Sequence, residues 1–261
     1  MKKLIRNSLI SVIYLTGLVW VYQKWKRRNG PLVRVLCFHD VLDREWFSNL
    51  LKELTKRYHV ITPEEFHAQQ FDSSKINVLL TFDDGYQSWV DIVLPVLQQC
   101  NVKAIFFITS GLLDAADAGE ADRFVRDQLK LTTRRSVLTW GGARKLVTAG
   151  HTIGGHTRNH QSLSDLSSEQ QTQEIEEDKK ILEENLDCAI SDFAFPFGTY
   201  TDCWISNSIR TQSSYQNWYS AISSFAKSDE ELIHRTMLES DSSLRQVHEW
   251  IRGGYDLLST F

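Results

Sequence analysis

Beyond residue 30, short apolar runs alternate with stretches whose apolar side chains recur every three or four positions. Val33–Phe38, Asn77–Phe82 and Lys103–Thr109 have the length and composition of buried strands. Behind Asp43, a capping residue, Trp46, Phe47, Leu50, Leu51 and Leu54 follow helical spacing. Thr62-Pro63-Glu64-Glu65 reads as a capping box with proline at the first helical position. A helix is predicted over Ser88–Gln99, and residues 111–137 form a polar, irregular helical excursion near a rim. Gly141–Ala149 reads as a helix stopped by Gly150, and His151–Gly155 as a short strand. Glu169–Leu186 is an acidic helix whose Ile175, Ile181, Leu182 and Leu186 leave a solvated face. Phe193–Phe195, Trp218–Ile222 and Ile233–Leu238 are further strands, and Leu244–Ile251 is a last helix. About seven strands alternating with about six helices predict an α/β fold with a parallel sheet, open or closed into a barrel. The residues from Pro31 onward suit one (β/α) barrel.

The first thirty residues follow a different pattern. Residues 7–23 contain no charge, and as one helix they would reach about 25 Å at the usual rise, slightly short of a hydrocarbon core. Lys2, Lys3 and Arg6 precede this run, and Lys24, Lys26, Arg27 and Arg28 follow it. Tyr14, Trp20, Tyr22 and Trp25 suit an interface belt. No A-x-A-like cleavage site is visible, and a buried core helix would not be bracketed by seven basic residues. The reading is a single-pass transmembrane anchor over residues 1–30, followed by a catalytic domain over residues 31–261. Basic residues on the two sides nearly balance, so orientation is poorly determined by charge.

Composition adds exclusions. With 42% hydrophobic and 24% charged residues and only four prolines, the chain is neither disordered nor fibrous. The net charge of −4 argues against a partner bound by charge neutralisation, and no nucleic acid is expected. Cys37, Cys100, Cys188 and Cys203 show no CxxC spacing and read as free thiols.

In parallel α/β folds, sites lie at the carboxyl ends of strands, and three such ends carry unusual residues. Thr81-Phe82-Asp83-Asp84-Gly85 places two carboxylates at a glycine turn, where like charges need a compensating cation or donors. The alternative is an ordinary Asp-Gly turn. In His156-Thr157-Arg158-Asn159-His160, imidazoles at i and i+4 can meet on one helical face and bind one metal, although such pairs are common by chance. Phe193-Ala194-Phe195-Pro196-Phe197-Gly198 runs from a strand into a turn whose backbone N–H groups could face a ligand. Together, one carboxylate and two histidines form a three-ligand set with an open position, as at a catalytic zinc. The second carboxylate is then free to act as a general base.

At these three motifs the chain resembles the polysaccharide deacetylase family, carbohydrate esterase family four. The surroundings resemble it too: VLCFHDV at 35–41, ITPEEF at 61–66, KAIFFITSG at 103–111 and LTWGGARKLVTAGHTIGGHT at 138–157. The resemblance covers about residues 33–255. It implies a distorted (β/α)7 barrel and metal-dependent hydrolysis of a carbon–nitrogen bond other than a peptide bond. The reaction removes N-acetyl groups, sometimes O-acetyl groups, from sugars. By motif, Asp83 is implied as general base, and Asp84, His156 and His160 as ligands of a divalent metal. Zinc is the first choice for that metal, with cobalt, nickel or iron as others. A metal-bound water is the implied nucleophile, and the Phe197 N–H stabilises the oxyanion. Pro196 has no N–H to offer there.

The chain departs from the pattern in two places. Ala194 stands where the family has an arginine beside the base, and Arg235 is a candidate substitute. The usual Leu-x-His-Asp motif that supplies an acid is not visible. His39 at the first strand end is favoured as the substitute acid or as a substrate contact, with Asp40 to orient its ring or raise its pKa, and His234 is the second candidate for the acid. His59, His67 and His248 are expected at the surface. FAFPFG with an early FHDV resembles the subgroup acting on poly-N-acetylglucosamine-type polymers. Three functions compete: a membrane-anchored glycan deacetylase with its barrel periplasmic or extracellular, a deacylase of a lipid-linked sugar, and a catalytically weak carbohydrate-binding protein.

Overall fold

The computed structural model describes residues 2–259 apart from 116, 204, 206, 228–229 and 240–241. The side chains of residues 2–8, 207–208, 212 and 258–259, and with them the flanking Lys2, Lys3 and Arg6, lie outside the described residues. Two helices open the chain, α1 (Lys2–Leu15) and α2 (Leu18–Lys26). Then follow β1 (Leu32–Phe38), α3 (Arg44–Arg57), β2 (His59–Val60), α4 (Pro63–His67) and β3 (Ile76–Asp84). A π-helical turn, Trp89–Val93, leads into α5 (Leu94–Gln99), followed by β4 (Ala104–Ile108), α6 (Ser110–Leu113) and α7 (Ala118–Asp127). The second half holds α8 (Trp140–Thr148), β5 (Thr152–Gly155), α9 (Ser168–Leu186), β6 (Asp192–Ala194), α10 (Asn207–Gln212), β7 (Asn217–Tyr219), β8 (Arg235–Met237), α11 (Leu244–Ile251) and α12 (Asp256–Ser259).

All strand pairs are parallel, in the order β7-β6-β5-β4-β3-β1-β8, and β2 lies beside the amino end of β3. Backbone bonds from Ser220 to Ile233 and from Ile233 to Trp218 join β7 to the approach to β8. Seven strands therefore form a nearly closed parallel barrel, the (β/α)7 arrangement that the family resemblance implies and one of the two forms that the alternation allowed. The pleat divides each strand between two compartments. Val33, Val35, Leu79, Ile105, Phe107, Ala194 and Tyr219 fill the interior, whereas Leu36, Leu80, Phe82 and Phe106 pack outward against helices. The predicted caps hold: Asp43 accepts from the Trp46 N–H, and Thr62 and Glu65 close a capping box. In β5, an added Cβ on Gly155 would lie 2.1 Å from the Tyr215 oxygen, so only glycine lets the ring lie against that strand.

The N-terminal run is not one helix. Gly17 takes φ +78°, a left-handed turn that ends α1 and starts α2, and no described helix is long and apolar enough to cross a membrane. One face of the pair packs on the barrel. Ile10 and Val19 are buried, Ser11 donates to Glu249 at 2.8 Å, and Gln23 donates to the Arg252 carbonyl at 2.7 Å. The structure lends the single-span expectation no support: these inner residues have protein partners that a count of apolar residues does not register.

Candidate active site

The two aspartates of β3 diverge because the pleat sends neighbours to opposite faces. Asp83 continues the inward row of Leu79 and Thr81. Asp84 takes φ +87°, which turns its carboxylate toward the mouth. Thr157 (φ +64°), His160 (φ +53°) and Phe197 (φ +59°) are also left-handed, so four of the eight non-glycine residues with positive φ among the described residues gather here. Strained backbone of this kind costs about 1–3 kcal/mol per residue and persists where surroundings over-determine it.

His156 and His160 stand on a loop after β5, not on a helix. The left-handed turns at Thr157 and His160 bring the rings together with centroids 5.0 Å apart. The His156 N–H is shared between the Ile108 carbonyl and Asp178 Oδ2, and Thr109 donates to the His156 carbonyl. His156 Nδ1 donates to the Ala194 carbonyl at 2.7 Å, which leaves Nε2 toward Asp84. The two Nε2 atoms of His156 and His160 lie 3.5 and 3.3 Å from Asp84 Oδ1. That oxygen is buried and lacks a hydrogen-bond partner, while Oδ2 accepts from Tyr86 at 2.7 Å. An orphaned carboxylate oxygen facing two imidazole nitrogens is what a divalent cation at about 2.0–2.2 Å from each would resolve. The donor set of two imidazoles and one carboxylate fits zinc and its neighbours. Burial would raise the Asp84 carboxyl, but the two facing imidazoles outweigh it and hold it well below the usual value.

Asp83 sits one layer deeper. Arg235, on β8 and fully buried, donates from its two terminal nitrogens to the two carboxylate oxygens at 2.6 and 2.8 Å. The same guanidinium also donates to the Ser220 carbonyl and to Thr81. Burial pushes the Asp83 carboxyl up, yet the Arg235 charge and then the His156 ring hold it below its ordinary value. An ionised carboxylate at this depth requires such a partner. Cys37 Sγ donates to Asp83 Oδ2 at 3.2 Å. A ring nitrogen of His39 lies within 4.8 Å of both the Cys37 sulfur and the Asp83 carboxylate. His39 thus reaches the mouth, as its strand-end position predicts.

Other expectations need correction. The Asp40 carboxylate makes its close contacts away from His39: it accepts from Ser88 at 2.6 Å and pairs with Arg135 at 3.3 Å. His234 faces Ser220 at 3.0 Å and lies outside the wall of the mouth. His59, His67 and His248 are half-buried, with ring nitrogens on Asn77, Asp192 and Tyr58. All four cysteines are free.

The mouth is a cavity of about 450 Å³ walled by the motif residues and by Leu129, Leu131 and Arg135 from the polar excursion, with Met237 and Glu239 opposite. Phe197 sits at its edge, about two-fifths exposed, with its ring edge-on to His160. Sequence reasoning missed Tyr86, Cys37 and Asp178. Asp178 shares the stripe of Ile175 and Leu182, and it is a fully buried carboxylate on a helix face that also buries Gln171, Glu174 and Lys179.

Comparison with known proteins agrees with this fold. YxkH of Bacillus subtilis (strain 168), named for the polysaccharide deacetylases, is 24% identical over 190 residues, 68% of this chain. The chain spans 61% of YxkH. Among solved structures, IcaB from Ammonifex degensii superposes with a TM-score of 0.67 at 22% identity, covering 85% of this chain and 98% of IcaB. The Streptococcus pyogenes deacetylase PplD in complex with acetate gives 0.66 at 19% identity, covering 85% and 97%. At these identities the likeness shows a shared fold. The family model for polysaccharide deacetylase matches residues 71–212, more than half of the chain and all three motifs, and the chain belongs to the polysaccharide deacetylase family.

Proposed function

We propose that the protein is a metal-dependent hydrolase that removes N-acetyl groups from an amino-sugar polysaccharide or oligosaccharide. The observation that carries this reading is the orphaned Asp84 Oδ1 between His156 and His160, beside an aspartate held ionised by Arg235. A divalent cation held by Asp84, His156 and His160 would supply Lewis-acid polarisation of the acyl carbonyl and of water. Asp83 accepts the proton of the attacking water, and Arg235 keeps that carboxylate ionised and aimed. The Phe197 N–H is the donor for charge developing on the carbonyl oxygen. His39 returns a proton to the leaving amine, so that acetate and a free amino sugar depart. The FAFPFG and FHDV motifs favour a poly-N-acetylglucosamine-type polymer. With that substrate the barrel works outside the cytoplasm, at the cell membrane, and a reporter fused to the C-terminus tests the location.

The test is acetate release by the full chain from a panel of N- and O-acetylated glycans, with zinc or cobalt added and with a chelator. Release that stops on chelation and returns with metal supports the reading. No release from any member of the panel with metal restored would leave a carbohydrate-binding protein instead.

A further inference from the structure

We infer that the outer face of the α1–α2 hairpin is a docking surface for an anionic lipid bilayer. The hairpin lies flat on that surface rather than crossing it, and the barrel mouth points away. The inner face is committed to the barrel, but the outer face has no covering. Of the twelve large hydrophobic side chains exposed among the described residues, seven lie on this hairpin. They are Leu9, Val12, Leu15, Leu18, Trp20, Val21 and Trp25, and Leu15 is 74% exposed. A concentration of this kind marks an interaction site.

Charge selects the occupant. Residues 1–30 carry seven basic side chains and no acidic one, whereas the remaining 231 residues carry 22 basic against 33 acidic. Lys24 stands over the Trp20 ring at 5.2 Å and Lys26 over the Trp25 ring at 5.5 Å, so ammonium groups and indoles border the apolar face together. That combination suits the headgroup layer of an anionic bilayer. A second copy of this chain would bring one basic hairpin against another, and charge opposes it.

The contacts also set the direction of the mouth. Arg27, just past α2, donates to the Ser73 and Ser74 carbonyls, which precede β3 at its amino end. Asp83 and Asp84 close the carboxyl end of that nine-residue strand, about 26 Å away at 3.3 Å per step. The hairpin packs on α11, and the chain leaves it at the end of the barrel opposite the catalytic mouth. Taken with the deacetylase reading, on which this step alone rests, the arrangement favours a glycan reaching in from solution over a sugar still embedded in the same membrane.

The test is sedimentation of the full chain with phosphatidylcholine vesicles with and without phosphatidylglycerol. Binding is expected to the anionic vesicles, weakening with salt, and to fall by roughly tenfold or more in Leu15→Asp/Val21→Asp, whose circular dichroism stays unchanged. A disulfide pins the hairpin to the barrel: an ideal Cβ on Gly254 lies 2.9 Å from Ile10 Cγ2, so Ile10→Cys/Gly254→Cys can bridge. This variant is expected to bind equally when oxidised and reduced. Binding only when reduced would show that the segment must leave the barrel to enter the bilayer, and would overturn the inference. Absence of vesicle binding would overturn it as well. So would a dimer in solution that Leu15→Asp/Val21→Asp abolishes, because the face would then belong to a second copy. None of these outcomes depends on whether the barrel releases acetate.

Discussion

Replacing Arg235 by methionine removes the guanidinium while keeping a similar reach. The pair it breaks is fully sheltered, with side-chain exposures of 0% for Arg235 and 4% for Asp83. Removing one partner leaves a buried charge without compensation, a change that costs about 3–5 kcal/mol. Urea unfolding at pH 8 should show a loss of that size. Restoring neutrality with Asp83→Asn in the same chain should recover part of it. The pH dependence has a definite sign. In the wild type Arg235 holds the Asp83 carboxyl below its ordinary value against burial, so the pair stabilises the fold above that value and the contribution fades as pH falls. Without the guanidinium, burial prevails and the carboxyl rises. The stability gap between variant and wild type should therefore narrow at acidic pH, where protonation relieves the unpaired charge. Acetate release should lose on the order of 10²–10⁴ at neutral pH, with its acidic limb displaced upward. Arg235→Lys should rescue only partly, since an ammonium cannot reproduce two parallel bonds. An unchanged acidic limb, together with a stability deficit equal at pH 4 and pH 8, would refute the assignment of Arg235 to the base.

Further outcomes follow from the same geometry. His156→Ala should lose bound metal, measured by elemental analysis, together with activity. Asp83→Asn should keep the metal and lose on the order of 10²–10⁴ in turnover, and loss of metal there would show that the roles of Asp83 and Asp84 are exchanged. His39→Gln should lower kcat far more than it raises KM and leave metal content alone; unchanged turnover removes His39 as the proton donor. Burial, and then the Lys103 charge, push the His151 imidazole down to about 4, and its Nδ1 accepts from the Ala104 N–H. Between its ordinary value and about 4 the unfolded chain takes up a proton that the folded chain refuses. Stability should then fall by up to roughly 3 kcal/mol as pH drops through that window, and His151→Gln should flatten the decline.

The sequence by itself determined what depends on neighbours in the chain. The caps at Asp43 and Thr62 reproduce because a side-chain oxygen reaches an N–H three residues away. The strand runs reproduce because continuous apolar stretches need shelter on both faces. Asp83, Asp84, His156 and His160 were legible because each motif is contiguous and carries its family's pattern. Tertiary structure alone decided what meets across the barrel. Arg235 reaches Asp83 from 152 positions away, across the barrel interior, and Cys37 reaches it from the adjacent β1. Spacing could not show that the two histidines meet through left-handed loop residues, because i,i+4 describes a helix that does not form there. The N-terminal run shows the limit most plainly. Hydropathy counts apolar side chains without knowing their partners, whereas packing of α1 against α11, with the turn at Gly17, leaves Ile10 and Val19 buried and Leu15 and Val21 outside.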